Sequence, residues 1–150
     1  MDEQERMGEI VISKVQYIGS YAKSKDLTPP ILANIDHLLR AVNSLMQVGM
    51  ADGVTFQVNP STRSQVAGQK NGGFREQCCT IGAPASAHKL GMAVDLHDPF
   101  NQIDKWLNSS PVAKVAYEDL GLYFEAQEAT NGWSHWSIKP PYSGRRFFKP

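Results

Sequence analysis

The sequence predicts an α+β fold in which N-terminal helices pack on a small antiparallel sheet. Three observations support that class. A stripe of apolar residues at helical period runs through residues 31–46. Short β-branched and aromatic runs begin only after residue 53. Two helical segments are then inserted among those runs, without the strand-by-strand alternation of a doubly wound parallel sheet.

The elements follow in chain order. Residues 5–23 place Met7, Ile10, Val11, Val15, Ile18 and Tyr21 at helical spacing, which predicts an amphipathic helix. In the next helix Thr28 is the cap and Pro29-Pro30 fills the first turn. Ile31, Ile35, Leu38, Leu39, Val42, Leu45 and Met46 form its core stripe, and Gly49 is placed to end it. Residues 54–58 read as a strand. Residues 59–87 are rich in Gly, Ser, Asn and Gln without periodicity, a long irregular segment of the kind that often carries function. Residues 91–96 read as a second strand. Asp98-Pro99 opens a short helix carrying Phe100, Ile103, Trp106 and Leu107, and Ser110-Pro111 opens another that stops at Gly121. Residues 122–125 and 134–138 read as two further strands. The Pro-rich tail from Pro140 reads as irregular chain that packs Phe147 and Phe148 on the domain.

A chain of 150 residues is the size of one domain, taken here as residues 1–150. Its parts are N-terminal helices (1–50), a core carrying the chemistry (54–138) and a tail (139–150). Lys+Arg and Asp+Glu balance at 15 each, which gives no electrostatic reason to expect nucleic acid or an anionic membrane as partner. No apolar run approaches membrane-spanning length, so membrane insertion is not expected. The acidic start Met1-Asp2-Glu3-Gln4-Glu5 lacks the layout of a secretion signal, which predicts synthesis in a cytoplasm; a monomer is expected. Cys78 and Cys79 are adjacent, which disfavours an unstrained disulfide, and they lack the gap of a zinc knuckle. They read as reduced thiols in a loop.

Three residues carry chemistry. His88 and Asp95 stand seven apart in Ser86-Ala87-His88-Lys89-Leu90-Gly91-Met92-Ala93-Val94-Asp95, and His135 lies in Gly132-Trp133-Ser134-His135-Trp136. In a strand Asp95 faces away from Val94 and Leu96. A carboxylate set among buried neighbours needs a partner, and a metal is one, a capping or ion-pair role another. Two imidazoles and one carboxylate match an open zinc site, where a bound water becomes acidic and a carbonyl is polarised. Non-haem iron oxygenases use the same donors, but their usual His-x-Asp pair is missing. His97 follows Asp95 on the same strand face, as a neighbour of the site or a solvent-facing side chain. His37 belongs to the second helix.

Ser61-Thr62-Arg63-Ser64, Gly72-Gly73, Ser86-x-His88-x-x-Gly91-x-Ala93-x-Asp95 and Trp133-x-His135 together resemble the D-alanyl-D-alanine carboxypeptidase / L-alanyl-D-glutamate endopeptidase family of zinc peptidases. The shared pattern is a Ser-Gly-Tyr-Arg-Ser-like turn, the central Ser-x-His-x-x-Gly-x-Ala-x-Asp segment and a late Trp-x-His, spread over residues 54–138. The resemblance implies a hedgehog/DD-peptidase-like fold and zinc held by His88, Asp95 and His135. It implies that Arg63 binds the substrate carbonyl or a carboxylate and that Ser86 lines the pocket. The substrate it implies is a peptidoglycan stem peptide, reached after lysis or from a phage particle, since phage members of the family include lysis enzymes.

The chain departs from the pattern in two places. Thr62 stands where the tyrosine precedes the arginine. Gly132 stands three residues before His135, where many members carry the acidic general base. Glu128 and Glu125 are the nearest acidic residues upstream, each either the base or an exposed glutamate. Glu128 is the expected base if residues 129–132 fold it back. The alternative is a non-catalytic cell-wall-binding or virion module that keeps the fold and the metal.

Overall fold

The computed structural model describes residues 11–68, 70–79 and 86–149. Among the described residues four helices and one four-stranded sheet build the fold, with helix α1 at Lys14–Ile18 and helix α2 at Pro29–Ala51. Helix α3 is Gln102–Ser109 and helix α4 is Pro111–Leu120. The strands are β1 (Ala93–His97), β2 (Tyr123–Glu125), β3 (Trp133–Ser137) and β4 (Phe147–Phe148), in spatial order β1-β3-β2-β4. The α+β class is as expected. The sheet is mixed rather than antiparallel, because β4 runs parallel to β2.

Helix α1 is shorter than its periodicity suggests within the described residues; residues 5–10, with Met7 and Ile10, lie outside them. Ser13 and Gln16 form a reciprocal capping box that fixes the start at Lys14. That phase buries Tyr17 and Ile18 and turns Val15 out to solvent. In α2 the predicted stripe is the buried face, and Pro29-Pro30 occupy the first turn. Thr28 is the N-cap residue, yet its side chain makes no capping bond. Gly49 does not end the helix. It lies within it because a Cβ there would stand 2.8 Å from the Phe56 ring, and the chain leaves the helix after Ala51.

Residues 54–58 form no strand, although Phe56 is buried. They sit beside no strand partner, and Phe56 packs edge-on to Trp136 at 6.3 Å. Helix α4 matches its sequence signals: the Ser110 hydroxyl accepts from Ala113 N–H, and Gly121 at φ 72 closes it. Helix α3 starts later than expected, and Asp98 caps it from outside, accepting from Ile103 N–H at 3.1 Å and Asp104 N–H at 3.2 Å. Phe100 is left exposed. The tail is not wholly irregular. Phe147 stacks on Phe124 at 5.4 Å, and β2 pairs with β4 through Phe124↔Phe147 and Glu125↔Phe148.

Strand alternation sorts the sheet into two faces. Val94, Leu96, Phe124 and Trp136 point to one side and join the stripe of α2, with Ile103, Leu107 and Tyr117, in the apolar core. Asp95, His135, Glu125 and Phe148 therefore fall on the opposite face. Among the described residues no helix is long and apolar enough to cross a membrane.

Candidate metal centre

Strands β1 and β3 pair antiparallel with Asp95 opposite His135. The backbone of Asp95 is engaged on its other edge: its N–H donates to Gly72 C=O at 2.6 Å, and its C=O accepts from Ala67 N–H at 2.9 Å. Asp95 and His135 are thus a non-hydrogen-bonded cross-strand pair, the kind whose side chains come closest. His135 Nδ1 lies 2.8 Å from Asp95 Oδ1.

His88 arrives from the 3-10 turn Ala87–Leu90, where the Ser86 hydroxyl accepts from His88 N–H. Gly91 ends that turn at φ 69, a conformation that costs glycine little, and a Cβ there would meet Ile35 at 2.6 Å. His88 Nδ1 lies 2.8 Å from Gly73 C=O. A carbonyl can only accept, so Nδ1 donates to it, and Nε2 is the ring nitrogen left to face Asp95 or a metal. Nε2 faces Asp95 Oδ1 at 3.3 Å. Gly73 reaches this position because it has no side chain: a Cβ would overlap the Tyr17 carbonyl oxygen.

One donor atom from each of His88, Asp95 and His135 lies within 4.8 Å of the others, and all three side chains are buried. These residues could hold a metal ion. Two imidazoles and a carboxylate leave room for a fourth ligand, and the Gly73 hydrogen bond sets the His88 ring in a ligating tautomer. Electrostatics favours the charged forms. Burial pushes the Asp95 carboxyl up, but the His88 charge and the hydrogen bonds from His135 and His88 outweigh it and hold the carboxyl well below the usual carboxylate range. Burial pushes His135 down, and the Asp95 hydrogen bond and charge, with Glu125, more than reverse this, so its pKa is raised.

The triad opens into a cavity of about 440 Å³, lined also by Arg75, Ser86, Glu125, Trp133, Lys139 and Phe148. Ser86 lines it as expected. Arg63 does not: it sits at φ 54 in an exposed turn between Asn59 and Ser64, away from the triad. The arginine at the site is Arg75, buried, with Nη2 3.5 Å from Asp95 Oδ2 and Nε donating to Asn71 C=O at 2.8 Å. The signal for it was the order Gly73-Phe74-Arg75, glycine then aromatic then arginine, which the Thr62-Arg63 pair lacks.

The two glutamates separate as clearly. Glu128 lies in the 3-10 turn Gln127–Ala129, two-thirds exposed, with Oε1 3.8 Å from Lys149 Nζ. It does not line the triad cavity, and residues 129–132 do not fold it back. Glu125 does line it, with Oε1 4.0 Å from His135 Nδ1. The register Phe124↔Trp136, continued by one residue, sets Glu125 opposite His135 on the site face. Gly132, at φ 93, carries no acid and borders a neighbouring cavity. His97 borders the same cavity, and His37 is exposed on α2. Cys78 and Cys79 are in no disulfide.

No protein-family model matches the chain, and no curated protein or solved structure matches it either.

Proposed function

We propose that this chain is a zinc-dependent peptidase acting on peptidoglycan stem peptides. The observation that carries the reading is the buried His88–Asp95–His135 group opening into a cavity that also holds Glu125 and Arg75. The resemblance in the segment from Ser86 to Asp95 supports the same class, and the Gly73-Phe74-Arg75 order strengthens it, since the aromatic-arginine pair of that pattern is met there rather than at Thr62-Arg63.

Zinc bound by these ligands would acidify a water and polarise the scissile carbonyl. The remaining steps belong to the chain. Glu125 accepts the proton of the attacking water and returns it to the leaving amine, the role that the absent acid at Gly132 leaves open. Arg75, held by Asn71 and Asp95, turns its fork toward the carbonyl oxygen as charge gathers there. The Asp95 carboxyl, held well below the usual carboxylate range, is ionised at neutral pH, and Gly73 keeps the His88 ring in place. Trp133 and Phe148 wall the cavity and reduce water access, which strengthens each of these interactions. On this reading the substrate is met in the cell wall, after lysis or from a phage particle.

The test is zinc content together with hydrolysis of purified peptidoglycan. One zinc per chain and chelator-sensitive cleavage are expected, with both lost in His88→Ala. Full cleavage by His88→Ala overturns the proposal.

A further inference from the structure

A second cavity, about 400 Å³, lies on the other side of Asp95 and Trp133. It is lined by Gly68, Asn71, Gly72, His97, Gly132 and Trp133, with Ala67 and Asp95. Asp95 and Trp133 border both cavities, so the two are neighbours separated by no more than these side chains. The two cavities lie in succession along β1 and β3. Ser137 and Lys139 mark the first end, the Asp95–His135 pair is central, and the His97–Trp133 pair marks the second. From the Ala93–Ser137 pair to the His97–Trp133 pair is four residue steps, on the order of 13 Å of strand. An extended peptide of about four residues spans that distance, with about two on each side of the triad.

The two ends differ in chemistry. Lys139 gives the first a cation beside Arg75. The second holds no Lys or Arg among the described residues, and besides the Asp95 carboxylate its polar side chains are Asn71, His97 and Trp133. None of those three side chains has a protein hydrogen-bond partner among the described residues; Asn71 is exposed, and His97 and Trp133 are half-buried. Gly68 and Gly72 form part of the second cavity's wall as bare backbone, with Gly72 N–H donating to Gly68 C=O at 2.9 Å. The two backbones pack so closely that a Cβ on Gly72 would stand 2.5 Å from Gly68 N.

Resting on the peptidase reading, we infer that the substrate runs through the site rather than ending in it. Its carboxylate-bearing part lies with Lys139, and an uncharged polar part lies in the second cavity, where His97 and Asn71 are the residues that determine specificity. Both act by hydrogen bonds to the substrate's amide groups, and neither touches the reacting bond.

The test is equilibrium binding, measured by titration calorimetry on the zinc-free and zinc-loaded chain. The probes are an intact stem tetrapeptide and its N-terminal and C-terminal dipeptide halves. The tetrapeptide is expected to bind at least tenfold more tightly than either half. His97→Ala and Asn71→Ala are expected to erase most of that advantage and to leave unchanged the binding of the half that lies with Lys139. Asn71 is exposed and outside regular structure, so its variant keeps the proposal testable should His97→Ala fold poorly. A tetrapeptide that binds no tighter than the better half overturns the inference, as does an advantage that survives Asn71→Ala. Two-sided binding without cleavage in the peptidoglycan assay retains the inference and overturns the peptidase reading alone.

Discussion

Gly73→Ala tests whether the metal centre depends on the close approach of the Gly73 backbone to α1. The added Cβ would overlap the Tyr17 carbonyl oxygen and stand 2.9 Å from its carbon. Both are backbone atoms, so no side chain can swing away. The segment must shift, which breaks the Phe74 N–H bond to Tyr17 C=O (3.1 Å) and moves the carbonyl that holds His88 Nδ1. Overpacking of this kind together with one lost hydrogen bond costs about 2–4 kcal/mol. For a chain of this length that lowers Tm by about 4–16 °C. The displaced His88 ring should weaken metal affinity by about 10–100-fold, the usual effect of losing the partner that orients a ligating histidine. Calorimetry of the metal-free protein and competition with a chromogenic chelator read the two effects separately. A variant with wild-type Tm and wild-type zinc affinity refutes the reasoning.

Glu125→Gln should lower kcat by about 10²–10⁴-fold while zinc affinity stays within a few-fold, whereas Glu128→Gln, at the exposed Lys149 pair, should leave turnover unchanged; steady-state kinetics on a stem peptide separates them. The raised pKa of His135 gives the metal-free protein stability that is fully present below pH 6.5 and lost as pH rises through the folded value. Zinc must displace that proton, so zinc affinity should rise with pH through the same window, above the ordinary histidine range, as chelator competition from pH 5 to 9 will show. Ser134→Ala removes a donor 2.6 Å from Asp104 Oδ1 and the acceptor of the Trp136 indole N–H, both buried. It should cost at least about 2 kcal/mol by urea unfolding. Burial already raises Asp104 above 3.8, and Ser134 counters it, so the loss should grow as pH rises from that value.

Helix α4 was legible because its signals are local: Ser110-Pro111 at one end, Gly121 at the other. The core stripe of α2 was legible for the same reason. His88 and Asp95 could be singled out by their frame, and strand alternation alone put Asp95 on the face away from Val94 and Leu96. What the sequence hid depends on contacts between distant segments. Glu125 meets His135 through the register of β2 on β3, which no local pattern reports. Arg63 drew attention through its serine neighbours, whereas Arg75 lies in a segment whose position is set by Gly73 packing on Tyr17. Gly49 resembles a helix end until Phe56 is seen to need its space. Strand β4 is two residues long and exists because Phe147 has Phe124 to stack on. Val15 fits a helical stripe by count, but the Ser13 capping box sets a phase that exposes it.

The account stands most directly on the products of peptidoglycan digestion by the zinc-loaded protein, separated and identified by mass spectrometry beside the Glu125→Gln variant. It predicts new fragments from cleavage of a single type of stem-peptide bond, with residues on both sides of the cut, and none from a Glu125→Gln protein that still holds one zinc. Intact stem peptides after digestion with protein carrying a full complement of zinc would contradict it, as would undiminished cleavage by Glu125→Gln.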